Sequence, residues 1–94
     1  MPLYALTCID KPNALERRMA AREAHVAYIR ERLASVKLAG PFLDARDEMA
    51  GSLLIVEAES LEDAQAFNAG DPYTLAGLWQ SVDIRPFRVS IGQL

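Results

Sequence analysis

Gly51-Ser-Leu-Leu-Ile-Val-Glu-Ala-Glu-Ser60-Leu-Glu-Asp-Ala64 decides how this chain folds. Ser52 to Ala58 is a short apolar run with β-branched residues at its centre, which reads as the clearest strand of the sequence. Ser60-Leu-Glu-Asp63 follows at once as a helix start. A serine supplies the N-cap acceptor, and acidic residues sit where the helix dipole is positive. Leu61, Ala64 and Phe67 then mark the buried side of that helix and Gly70 its stop.

Toward the N-terminus, Val36 to Leu43 reads as a loop entering a strand, and residues 45–51 as the polar connection that folds it back as a hairpin on Ser52–Ala58. Before it, Asn13-Ala-Leu-Glu16 has capping-box spacing, and a stretch rich in Ala, Arg, Glu, Leu and Met predicts a helix from Asn13 to about Ser35. Leu15, Met19, Val26, Ile29 and Leu33 fall on one stripe of that helix, with Arg22 near its centre. Residues 3–9 precede it as a first strand, closed by Asp10-Lys11-Pro12-Asn13.

Toward the C-terminus, Asp71-Pro72-Tyr73 opens a short helical segment running toward Trp79, because Asp caps well and Pro suits the first helical position. Residues 81–89 alternate as the last strand, in which Pro86 calls for an edge or a bulge. The order is βαββαβ, an α+β chain of ferredoxin-like topology with an antiparallel sheet, as one domain over residues 1–94.

Two helices cover one face of such a sheet. The strands are apolar on both faces: Tyr4, Leu6 and Cys8 oppose Leu3, Ala5 and Ile9, and Leu54 and Val56 oppose Leu53 and Ile55. The bare face is expected to close on a second copy in a homodimer, the alternative being a sheet that tolerates exposed apolar residues.

Half of the 94 residues (51%) are apolar and 24% charged, so the chain is a globular domain and not a disordered tail. Its net charge is −3, with +2 in residues 1–47 (eight basic, six acidic) and −5 in residues 48–94 (two basic, seven acidic). Nucleic acid, which requires a basic excess, is not expected as a partner. A lone Cys8, no export signal and no apolar run of membrane-spanning length suggest a cytoplasmic protein.

His25 is the only histidine, and so the only side chain that ordinarily exchanges a proton near neutrality. Arg18 and Arg22 precede it on the same helix, where they could hold an anionic group against it. Asp71 could accept the imidazole N–H and fix its tautomer, and Tyr73 could add a hydroxyl. Each also has a plainer explanation: Asp71 as a cap, Tyr73 as packing, Arg22 as an internal ion pair, Ser52 as a turn residue. One Cys and one His are too few for a zinc site, and neither a phosphate-binding Gly-rich loop nor a nucleophile elbow occurs. No metal or cofactor is expected.

Leu15-Glu-Arg-Arg18, Arg22-Glu-Ala-His25, Gly40-Pro41, Gly51 to Ala64, Asp71-Pro72-Tyr73 and Arg85-Pro86-Phe87 together resemble the YciI family over nearly the whole chain. That resemblance implies a ferredoxin-like domain of the dimeric α+β barrel superfamily that pairs through its sheet. It also implies a His–Asp active site, which falls on His25 and Asp71, with the arginine pattern matched at Arg18 and Arg22. A few relatives eliminate chloride from chlorinated hydroxyquinones. The short connection from Asp44 to Ala50 departs from relatives with a longer loop there. The expected function is proton transfer by His25 and Asp71 on a small anionic cyclic molecule, in elimination or isomerisation, with Arg18, Arg22, Ser52 and Tyr73 as substrate contacts. The alternative is a non-catalytic binding or companion domain.

Overall fold

A computed structural model describes residues 1–94. The elements run β1 (Leu3–Asp10), α1 (Leu15–Arg30), β2 (Val36–Leu43), β3 (Met49–Glu57), α2 (Leu61–Gly70), α3 (Pro72–Leu75) and β4 (Trp79–Phe87). The strands form one antiparallel sheet in the order β2-β3-β1-β4, which is the ferredoxin-like arrangement. No helix is long and apolar enough to cross a membrane.

Alternation divides the sheet into two faces as its sequence predicts. Tyr4, Leu6 and Cys8 lie opposite Val56, Leu54 and Ser52 in register, and with Ile29, Val36 and Ala64 they make the core between sheet and helices. Ala5, Thr7 and Leu53 belong to the other face, as does Ile55.

Several local expectations are corrected. Asn13 does not cap α1: it takes a left-handed φ of 57°, and Ala14 stands at the N-cap with no side-chain bond. α1 ends at Arg30, and residues 31–35 turn back toward the sheet. Val36–Leu43 is an edge strand throughout rather than a loop, because an edge tolerates the missing N–H of Pro41. The hairpin turn is correspondingly shorter: Asp44 takes backbone N–H bonds from Arg46 (2.8 Å) and Glu48 (3.1 Å), and β3 already begins at Met49. β4 runs Trp79–Phe87; Pro86 is on an edge and pairs in register with Tyr4, and the irregularity lies instead at Ile9/Asp10.

The largest correction concerns the phase of α1. Met19 and Leu33, predicted to face the core, are 50% and 63% exposed, and Arg22 at the centre of that stripe is exposed. Of the stripe only Ile29 is fully buried, and it shares the interior with Ala14 and Arg18, with His25 half-buried beside them. The buried side of the helix is turned by roughly 70° from the centre of its apolar stripe. The cause is Arg18, whose buried ion pair fixes the phase against hydrophobicity.

Ser60 accepts from the Asp63 N–H at 3.1 Å, as its capping signal requires. Asp71 does the same for Tyr73 N–H at 2.9 Å, so that α2 ends and α3 begins on one buried carboxylate.

Candidate functional site

A cavity of about 360 Å³ opens between α1 and the β2-β3 side of the sheet. Five of the six residues singled out from the sequence line it: Arg18, Arg22, His25, Ser52 and Tyr73. Asp71 lies directly behind His25.

Arg18 forms the floor. It is 2% exposed on a helix face that should be apolar, a placement that costs several kcal/mol without a partner. Asp10, at the end of β1, supplies that partner in a two-pronged bond, Nε to Oδ2 at 2.8 Å and Nη2 to Oδ1 at 2.9 Å. Nη2 also donates to Ser52 Oγ at 3.0 Å. Burial works against the guanidinium charge, but hydrogen bonding and charge from Asp10 outweigh it and raise the pKa above the ordinary value. Nη1 is taken by neither partner. Ser52 is thus an interior strand residue that positions an arginine, and not a turn residue at a strand start.

His25 forms the side wall. Nδ1 lies 2.8 Å from Asp71 Oδ1, although 46 residues separate the two in sequence. The same Oδ1 accepts the Tyr73 N–H. An ionised carboxylate only accepts, so Nδ1 carries the proton in the neutral ring and Nε2 is left with its lone pair. The imidazole stacks on Tyr73 at 3.9 Å between centroids and 12° between planes. Tyr73 is held in turn by Trp79 edge-on at 5.6 Å and by the Arg18 guanidinium 4.6 Å from its ring centroid. Burial raises the Tyr73 pKa despite the opposing pull of Arg18, so the phenol stays protonated near neutrality. Asp71 Oδ2 is buried and has no hydrogen-bond partner.

Cys8 lies under the site and is inert: burial, reinforced by the charge of Asp71, pushes its thiol from 9.0 up to about 12. No group of three or more His, Cys, Asp or Glu side chains is placed to hold a metal ion.

Three lining or supporting residues were not singled out from the sequence. Asp10 reads there as a turn residue, and its signal is the spacing of eight to an arginine on a helix of the wrong phase. Arg30 and Lys37 line the outer part of the cavity, and only the path of the chain after Arg30 brings them together.

Residues 2–88 match the YCII-related domain family. The chain belongs to that family. Protein YciI of Escherichia coli is 39% identical over 94 residues, covering 92% of this chain and 96% of the relative. An uncharacterized protein of Haemophilus influenzae is 37% identical over 93 residues, covering 90% and 95%. Among solved structures, 5-chloro-2-hydroxyhydroquinone dehydrochlorinase (TftG) from Burkholderia phenoliruptrix, in complex with 2,5-dihydroxybenzoquinone, superposes with a TM-score of 0.87 at 33% identity. The match covers 92% of this chain and 93% of that one. An antibiotic biosynthesis monooxygenase, 14% identical with a TM-score of 0.59, shares the fold over 97% of this chain. The YCII-related chain thus has the α+β fold of the dimeric α+β barrel type.

Proposed function

We propose that this YCII-related protein is a small-molecule enzyme that moves protons on a hydroxylated ring, with His25 as acid/base and Asp71 as the group that orients it. The observation that carries the reading is the 2.8 Å bond from His25 Nδ1 to a buried carboxylate, on a ring that lines an open cavity. The dehydrochlorinase activity of the Burkholderia relative and its bound quinone favour a ring of that kind.

Elimination of HX needs a proton shuttle and a place for charge. In this reading Nε2 takes a proton from a ring hydroxyl, and the oxyanion charge falls before Arg18 and Arg22. The imidazolium, held by Asp71, returns the proton to the ring carbon bearing the leaving group, which becomes tetrahedral. The C–X bond then breaks with its electron pair on X⁻ as a second hydroxyl gives up its proton, and the product is the quinone. Tyr73 stacks on the imidazole and fixes its plane; Ser52 holds Arg18.

We also propose that the sheet face away from the helices, on which Ala5, Thr7 and Leu53 are partly exposed, pairs two copies back to back. A chlorinated hydroxyhydroquinone offered to wild type and His25→Gln tests the enzymatic reading. Wild type should release chloride and the variant should not, while both still bind 2,5-dihydroxybenzoquinone. Binding without turnover in wild type would leave the non-catalytic binding domain as the better account.

A further inference from the structure

The charge of the cavity is one-sided. Arg18, Arg22, Arg30 and Lys37 line it and no Asp or Glu does, in a chain whose net charge is −3. Most basic groups of this region are engaged: Arg17 with the Gly77 carbonyl at 3.0 Å, Arg18 with Asp10 and Ser52, Arg32 with the Tyr28 carbonyl at 2.9 Å, and Lys37 with the Ala34 carbonyl at 3.2 Å. Arg22 and Arg30 have no ion-pair or hydrogen-bond partner in the protein.

The residues that carry these two free guanidinium groups stand eight apart on α1, a backbone rise of about 12 Å, and Arg30 is about 7.5 Å along the axis beyond His25. The helix wall between them is apolar, formed by Val26 and Ile29. A compact ring anion at His25 can use Arg18 and Arg22 and leaves Arg30 idle. An apolar lining between two separated cations fits a ligand with two separated polar ends and a hydrocarbon spacer.

We infer that the natural substrate carries a second anionic group, a carboxylate set off from the reacting ring by a short apolar spacer, and that Arg30 is the specificity residue that binds it. The inference rests on the proposed function for what occupies the His25 end. A bidentate guanidinium–carboxylate contact at a partly open rim is the geometry Arg serves best.

The test compares 4-hydroxycinnamate with its amide, which has the same shape and no charge, by calorimetric titration of wild type, Arg30→Gln and Arg17→Gln at fixed ionic strength. Arg30 is exposed and unbonded, so its replacement does not threaten folding. Wild type should bind the acid roughly tenfold more tightly than the amide, a preference that Arg17→Gln keeps and Arg30→Gln abolishes. A wild type without that preference, or a preference that survives in Arg30→Gln, overturns the inference. Wild-type binding of 2,5-dihydroxybenzoquinone with neither cinnamate derivative bound overturns this inference alone, and chloride release from the chlorinated hydroxyhydroquinone still decides the proposed function. If none of the three molecules binds, both fall.

Discussion

Asp71→Asn should remove the charge behind His25 without turning the imidazole over. In many His–Asp pairs the amide of an Asn replacement presents its NH2 to the ring and forces the other tautomer, at a cost of about 10⁴ in kcat. Here that rotation is blocked. The oxygen that faces His25 Nδ1 at 2.8 Å also accepts the Tyr73 N–H at 2.9 Å, and an NH2 group there would meet that fixed donor even if the imidazole turned its Nδ1 lone pair toward it. The amide therefore keeps its oxygen toward both, and its NH2 takes the place of Oδ2, which is buried and already lacks a partner. What is lost is the difference between a charge-assisted and a neutral hydrogen bond to the imidazolium, about 1–2 kcal/mol, or roughly five- to thirtyfold in kcat. The substrate-free assay is ¹⁵N NMR of the single histidine in its neutral form, where two-bond couplings show which nitrogen bears the proton. Wild type and Asp71→Asn should both show Nδ1–H. An Nε2–H tautomer in the variant, or a loss of chloride release near 10⁴, would refute the argument that the Tyr73 N–H locks the orientation.

Arg18→Met should destabilise the fold by about 3–5 kcal/mol by leaving the Asp10 carboxylate buried and unpaired, and Arg18→Met/Asp10→Asn should recover much of it; urea titrations at one protein concentration measure both. A double variant no more stable than the single one would mean that the ion pair does not set the phase of α1. Cys8, with its pKa raised to about 12, should resist thiol reagents at pH 8 in the native state and react rapidly in denaturant. Because the unfolded thiol ionises first, near its ordinary 9.0, stability should also fall as pH rises from about 9 to 12; immediate stoichiometric labelling of native protein would contradict the burial. Leu53→Arg should turn a dimer into monomers in sedimentation velocity, and a wild type that is monomeric at about 100 μM would end the back-to-back proposal.

The parts of this fold that were legible in the sequence are those set by local physics. Ser60 and Asp71 cap the helices they announce, and the alternation in Ser52–Ala58 sorts side chains between two faces as it should. Apart from Asn13, whose left-handed backbone defeats its capping signal, what misled was tertiary context. The stripe from Leu15 to Leu33 is a better amphipathic pattern than the one the helix uses, yet a buried Arg18 tied to Asp10 outweighs two solvated apolar side chains, Met19 and Leu33. Exposing part of a Met or Leu costs about 1–2 kcal/mol each, whereas breaking a buried ion pair costs more. Gly40-Pro41 reads as a loop because its strand is an edge, which composition alone does not reveal. His25 and Asp71 were legible as residue types, but their contact depends on α3 starting where it does.

That dependence explains why the pair sits on a four-residue helix. α3 is too short to be stable by its own hydrogen bonds, so its position is set by its ends and by Tyr73 packed between His25 and Trp79. One carboxylate oxygen serves the cap and the histidine together, so the imidazole cannot be oriented without α3 being formed, nor can α3 shift without releasing the imidazole. Arg18 is bound in the same way to β1 through Asp10 and to β3 through Ser52. Arg18 and His25 are thus each anchored on an element other than their own. A site built so needs no rigid loop: the cores that bury Leu6, Leu54 and Leu78 fix His25 and Arg18 in one cooperative unit.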